Sequence, residues 1–333
     1  MNEKQIAAAV DGIFKGKAFG GVASRLLQSG MSANALRTND TLRKDEWKHF
    51  DEAVVKISQQ RLVGVNDLIS RGLFLNIENG LGTTVLQFET ESDIEPAEIN
   101  MTGSSRGAND RPTWDIGSLP LPIVHKGFQL NIRVLNASRK VGQPLDTTLA
   151  QMAARKVAEK IEEILFVGAS TYTFGGGTLY GYVDHPQANS VTLSINWDAS
   201  SKTGALILAD VIAMKQASIT DRHYGPWVLY VPTAYETVLD EDYSTSYPNV
   251  TIRDRIKQIG GIVDVKVIDL LTANTVLLVE MQPETARMVI GLQPTTLQWD
   301  TEGGMVNHFK VMAIMVPQIR ADQDDRSGIA VLS

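Results

Sequence analysis

The chain has 333 residues, enough for one large or two ordinary domains with real cores. Hydrophobic residues make up 43% and charged residues 21%, which excludes a disordered chain, and zero cysteine removes disulfides, thiolate nucleophiles and the commonest zinc sites. A formal net charge of -7 argues against a dedicated nucleic-acid binder.

Met1 to Thr41 carries Gly12, Gly16, Gly20, Gly21 and Gly30 among short apolar patches with no sustained period, which predicts an extended arm or a disordered tail. No compact apolar segment of a signal peptide is present there. Between Met1 and Lys48 eight Lys or Arg stand against five Asp or Glu, whereas Asp240 to Ser333 holds thirteen acidic and eight basic residues. Helical character begins at Asp45, with Trp47, Phe50, Val54, Ile57 and Leu62 roughly on one face and Leu68 and Leu73 following before Gly80 and Gly82. From Thr83 the period falls to two: Thr84, Leu86, Phe88 and Thr90 alternate with Val85, Gln87 and Glu89. A polar stretch, Glu91 to Arg111, precedes a second alternating segment at Trp114 and Ile116. Two strands around a polar crest predict a long hairpin with too few apolar residues to hold itself. Ordering it costs roughly 1–2 kcal/mol of backbone entropy per residue, so something must pack against its arms. The parent domain, a neighbouring subunit, or a lid's active site could serve.

Pro120 and Pro122 mark a boundary, after which Phe128, Leu130, Ile132 and Val134 alternate as a strand. A long helix follows from Asp146, its expected cap, to Gly168, with Leu149, Ala153, Val157, Ile161 and Leu165 inward and Met152 and Ile164 widening the stripe. Arg155 and Glu159 are spaced to pair on its outer face. Beyond Gly175, Gly176 and Gly177, helices are predicted over Ala205–Ser218, from Pro232 through Tyr235, Val238 and Leu239, and from a Thr251 cap with Asp254 through Ile252, Ile256 and Ile259. Strands are expected at Trp227–Val231, Val263–Ile268, Thr275–Met281, Arg287–Ile290 and Phe309–Val316. The last four have no useful helix between them, which makes the second half α+β with a mixed or antiparallel sheet. Apolar runs such as Val228–Val231 fall far short of the ~20 residues of a membrane helix.

The residues that could carry chemistry do not assemble in the sequence. His49, His125, His185, His223 and His308 stand at least 38 residues apart, with no paired ligands at helical spacing. Asp322, Asp324 and Asp325 lack calcium-loop spacing. The triple glycine has no Gly-Lys-Ser or Gly-Lys-Thr after it, no Gly-x-Ser-x-Gly occurs, and Glu162 and Glu163 point about 100° apart. No catalytic group, metal site or cofactor is expected.

The segment FQLNIRVLNASRKVGQPLDTTLAQMAARKVAEKIEEILFVG, Phe128 to Gly168, followed by Gly181 and by YGPWVLYVPTAYETVL, Tyr224 to Leu239, resembles the major capsid protein of tailed phages and the related encapsulin shells, the Hong Kong 97-type fold. The likeness covers Asp45 to about Val316 and rests on joint order rather than on one motif. It implies an α+β chain with an N-terminal arm at 1–44, a helical region at 45–82, an extended loop at 83–118 and a peripheral domain at 119–180 with its spine helix at 146–168. An axial domain would take 181–281, and 282–333 would return to the peripheral domain and end in a tail. With the family-like core starting near Asp45, scaffolding is expected from a separate protein. Thr83 to Ser118 contains no lysine, so the loop-lysine crosslink of certain relatives is not expected.

The implied function is a major capsid protein, not an enzyme. It would assemble with many copies of itself as pentamers and hexamers into an icosahedral shell around double-stranded DNA, in a virion put together in the host cytoplasm. A portal protein and a cement or decoration protein are further implied partners, and no membrane is. An encapsulin-like nanocompartment shell is the alternative, and an α+β enzyme with a convergent site is another. Leu86, Phe88, Trp114 and Ile116 are the candidate apolar contacts to an adjacent subunit. Lys4, Lys15, Lys17, Arg25 and Arg37 are candidates for weak, salt-sensitive contact with DNA from an inner-surface arm.

Overall fold

The long helix packs across one β-sheet through an alanine-rich face, and its core is continuous with that of a second sheet. The structure is a computed structural model describing residues 52–57, 62–91, 99, 101, 114–133, 148–244, 247–302, 305–322 and 324–333. The arm, residues 1–44, lies outside the described residues, as do Asp146, Val134 and nearly all of the hairpin's crest.

In chain order, α1 (residues 52–57) and α2 (Val63–Ser70) lead to β1 (Phe74–Asn76), β2 (Val85–Glu91), β3 (Trp114–Pro120) and β4 (Val124–Asn131). The long helix, α3 (Thr148–Phe166), follows, then β5 (Ala169–Phe174), β6 (Gly177–Leu179), β7 (Asn189–Val191), α4 (Gly204–Thr220) and β8 (Trp227–Pro232). After a 3-10 turn come α5 (Glu236–Leu239), β9 (Asp242–Ser244), β10 (Tyr247–Thr251) and α6 (Ile252–Lys257). The chain ends with β11 (Ile262–Ile268), β12 (Val276–Glu280), β13 (Ala286–Thr301), β14 (Val306–Ile319) and β15 (Ile329–Leu332).

One sheet has four strands in the order β1-β13-β14-β4, the other five in the order β11-β8-β12-β15-β7. The second is mixed, with β8 parallel to β11 and antiparallel to β12. Ala150, Ala153, Ala154, Val157, Ala158, Ile161 and Leu165 of α3 share one core with Met288, Val311 and Met315 of the first sheet and with Val228, Tyr230, Leu277 and Val331 of the second. Small side chains let the helix axis come close to β4 and β14 of the first sheet. The far face of the five-stranded sheet packs on Ile207, Val211 and Met214 of α4, and the far face of the four-stranded sheet covers the root of the β2–β3 hairpin.

Four expectations need correction. Leu149 and Met152, placed in the buried stripe, are 41% and 51% exposed. The buried face is centred on the alanines, about one residue round the helix, because close packing selects small side chains over the longer apolar ones. The helical run expected to continue to Leu73 instead ends at Ser70 and turns into β1, which pairs in parallel with β13. The return strands are far longer than expected, β13 and β14 having 16 and 14 residues. And β15, which falls in the expected tail, inserts between β12 and β7.

Local signals were obeyed elsewhere. The Thr251 hydroxyl accepts the Asp254 N–H at 3.1 Å, capping α6. Gly175 and Gly176, both at positive φ, form the two-residue turn joining β5 to β6.

Candidate functional site

The hairpin's register decides what its side chains can do. In the antiparallel pairing Leu86 lies opposite Leu119, Phe88 opposite Gly117, Glu89 opposite Ile116 and Glu91 opposite Trp114. Since side chains alternate between faces, Leu86 and Phe88 fall on one face and Trp114 and Ile116 on the other. The structure therefore divides the four candidate contacts. Leu86 and Phe88 are half-buried against a cluster of their own molecule that includes Leu119, Val289 and Met312. Trp114 and Ile116 are 62% and 64% exposed. Farther out, Ile99 and Met101 are fully exposed. Lys4, Lys15, Lys17, Arg25 and Arg37 lie outside the described residues.

Three contacts hold the root in place. The ring of Phe88 sits directly over Gly117, where a Cβ would come within 2.4 Å of it. The Arg320 guanidinium lies 5.9 Å from the centre of that ring and donates to the Glu89 carbonyl at 3.5 Å. Gly177 in the β5–β6 turn approaches so near that a Cβ would meet the Ser118 carbonyl oxygen at 2.1 Å. The inner face of the hairpin is thus fixed to the body while its outer face carries two uncovered apolar side chains.

Beside the root lies a cavity of about 390 Å³, lined among others by Phe88, Thr178, His185, Gln318 and Arg320. Burial pulls the His185 imidazole below its usual range, with Asp184 opposing in part. Its Nδ1 and the Nε2 of Gln318 are buried without a hydrogen-bond partner among the described residues.

A second polar cluster lies inside, at the seam of α2, α3 and the five-stranded sheet. The Asp67 carboxylate receives the Tyr230 hydroxyl at 2.8 Å, Lys266 Nζ at 2.9 Å and Arg71 Nε at 3.1 Å. Burial pushes this carboxyl up, but the Lys266, Tyr230 and Arg71 bonds together outweigh it and hold it below the ordinary value. One turn of chain away, the buried Glu162 carboxylate accepts the N–H groups of Gly64 and, at 3.4 Å, Val65. It satisfies orphan donors of the first turn of α2 and complements that helix's dipole. Gly64 makes the approach possible, since a Cβ there would stand 2.6 Å from the Phe166 ring. Burial raises the Tyr182 and Tyr230 phenols far above their usual value, so both stay neutral.

His49 lies outside the described residues, and the other four histidines are not brought together. His308 stacks on Trp299 and pairs with Thr301 at 2.8 Å, His223 pairs with Glu280, and His125 is exposed. Among the described residues no three His, Asp or Glu side chains are grouped to hold a metal. Asp322 and Asp324 are bridged by Arg326, at 3.5 and 2.9 Å. Among those residues no helix is long and apolar enough to cross a membrane.

Residues 34–331 match the model of a family of unknown function, DUF6260. A type 1 encapsulin shell protein, EncA, of Myxococcus xanthus is 26% identical over 138 residues, 40% of this chain and 45% of that protein. A diheme-cytochrome-encapsulin shell fusion protein of Kuenenia stuttgartiensis is 29% identical over 131 residues, 39% of this chain and 34% of that protein. The match thus spans less than half the length of these curated relatives. Among solved structures, the virus-like particle from Pyrococcus furiosus superimposes with a TM-score of 0.58 at 18% identity, over 85% of this chain and 98% of that one. The capsid of Myoviridae phage XM1 gives 0.60 at 9% identity, over 79% and 90%. The fold is the Hong Kong 97-type shell fold that the Phe128–Gly168 and Tyr224–Leu239 segments resembled.

Proposed function

The chain belongs to the DUF6260 family, and from that premise and its fold we propose that it is a shell-building subunit: a major capsid protein that closes into an icosahedral shell around double-stranded DNA. The observation that carries the reading is the two-faced hairpin. Leu86 and Phe88 lock one face to the body, and Trp114 and Ile116 offer the other to a neighbour. Two such side chains, removed from water at roughly 25 cal/mol per Å², contribute a few kcal/mol per contact before ordering costs. Each subunit would make such a contact and receive one, so weak edges combine around a closed ring.

In this reading the four-stranded sheet with α3 forms the peripheral domain, and the five-stranded sheet with α4 forms the axial domain crowding the five-fold and six-fold axes. Separate scaffolding and portal proteins would be partners during assembly in the host cytoplasm, with a cement protein as a further one. Lys4, Lys15, Lys17, Arg25 and Arg37 are assigned to the inner surface by their charge alone, as weak contacts to packaged DNA. The role is architectural rather than catalytic.

The identity to encapsulin shell proteins favours a second reading, a nanocompartment filled with protein cargo. Particles from the native source distinguish the two: nuclease-protected double-stranded DNA supports the capsid, and co-purifying protein without DNA supports the compartment. For the hairpin, the double variant Trp114→Ser with Ile116→Ser is expected to keep the wild-type fold by circular dichroism while losing assembled particles in sedimentation. Undiminished assembly would remove the hairpin's outer face from the mechanism.

A further inference from the structure

The chain passes between its two sheets three times, and the three passages are tied at one place. The first leads from β4 by way of α3, β5 and β6 and reaches β7 through residues 180–188; residues 281–285 connect β12 to β13, and residues 320–328 connect β14 to β15. Asn189 Nδ2, at the end of the first, donates to the Ser327 carbonyl at 2.9 Å and to Asp221 Oδ2 at 2.8 Å; the Ser327 N–H reaches that same oxygen at 3.1 Å. The Arg320 N–H donates to the Thr285 carbonyl at 2.9 Å, joining the second passage to the third. At the junction stands Glu280, the last residue of β12, which is buried. Its N–H donates to the Gly328 carbonyl at 2.9 Å. Its carboxylate accepts the Thr285 hydroxyl at 2.8 Å, the Gly225 N–H at 2.8 Å and Nδ1 of His223.

His223 follows the C-terminus of α4, where the Ser218 carbonyl accepts its N–H at 3.0 Å. The carboxylate bonded to its imidazole is Glu280 from β12; the charges of Asp221, at the end of α4, and of Asp322 in the third passage, itself paired to Arg326, act more weakly in the same direction. The negative end of the α4 dipole acts in the same direction. Neutral Thr285 completes the surroundings, its hydroxyl 3.5 Å from Nδ1.

We infer that the His223–Glu280 pair is a proton-controlled latch on the passages between the two sheets: while the imidazole is protonated the passages are pinned, and when it loses its proton they open more readily.

The Glu280 hydrogen bond raises the imidazole above its ordinary value, against a smaller lowering by burial. Burial pushes the Glu280 carboxyl up, but the bonds from His223, Thr285 and Gly225 outweigh it and hold it down. The imidazole's contribution is therefore complete below its open-state value, about 6.5, and fades as pH rises through the higher closed-state value. The carboxylate's contribution is present above about 4.5 and fades as pH falls through its lower closed-state value. The latch holds best between these limits.

Hydrogen exchange of the full chain, read by mass spectrometry and corrected for the intrinsic effect of pH, tests the latch. Exchange of residues 281–285 and 320–328 should accelerate by up to about tenfold per pH unit as pH rises above about 6.5. In His223→Gln the same segments should exchange at the fast level throughout. A flat wild-type profile, or an unchanged rise in the variant, overturns the latch. Should the variant fold poorly, exchange of the imidazole C2 hydrogen in the wild type decides: a His223 midpoint above about 6.5 supports the proposal and one at or below it overturns it.

Discussion

Asp67 illustrates how much of this molecule rests on single side chains that come together only in three dimensions. Its carboxylate collects partners from its own helix (Arg71), from β8 (Tyr230) and from β11 (Lys266), and so joins the N-terminal helical region to the five-stranded sheet. Removing one member of such a buried pair leaves the others uncompensated, so Asp67→Asn should lower stability by about 3 kcal/mol in urea unfolding. The sign with pH follows from the lowered carboxyl. Its stabilisation is present above the unfolded value of 3.8 and is lost as pH falls through the lower folded value. The wild type should therefore weaken as pH drops from about 5 toward 2, and that part of the slope should be missing in the variant. A variant with wild-type stability and slope would contradict this account. Nothing in the spacing of residues 67, 71, 230 and 266 announces the cluster, because Asp67, Arg71 and Lys266 taken alone suit a solvated surface and Tyr230 reads as one more apolar residue of its strand. The Thr251 cap was legible for the opposite reason: its partner, Asp254, lies three residues away.

The elements divide in the same way between local and long-range information. Alternation revealed both arms of the hairpin, yet not their relative register, since the polar crest separates them. That register is what sends Leu86 and Phe88 inward and Trp114 and Ile116 outward. Periodicity found α3 but centred its buried face on the longer apolar residues, whereas helix-to-sheet contact selected Ala150, Ala154 and Ala158. Ala158 is fully buried in the core shared with both sheets. Ala158→Leu should accordingly overpack that core and cost about 1–3 kcal/mol, measured by thermal or urea unfolding. A neutral result would mean that α3 and the sheets are less tightly fitted than their geometry indicates. The strand β15 escaped notice because four buried residues at a chain end carry too little pattern, and its partners β12 and β7 lie far back in the chain.

For the whole molecule, the fold was readable from the joint order of strand, long helix, glycine turn and Gly-Pro strand, and shell structures superimpose on most of its length. What those elements do together could not be read from any one motif. The described surface offers no grouped metal ligands, and its most distinctive feature is a hairpin anchored on one face and uncovered on the other. Such a face is expected to be covered by the next copy of the chain. The most direct test is electron microscopy of the purified full-length protein, paired with its mass by light scattering. The account predicts closed shells of megadalton size, or rings of five and six subunits when scaffold is missing. Folded particles that stay monomeric or dimeric at every concentration would contradict it.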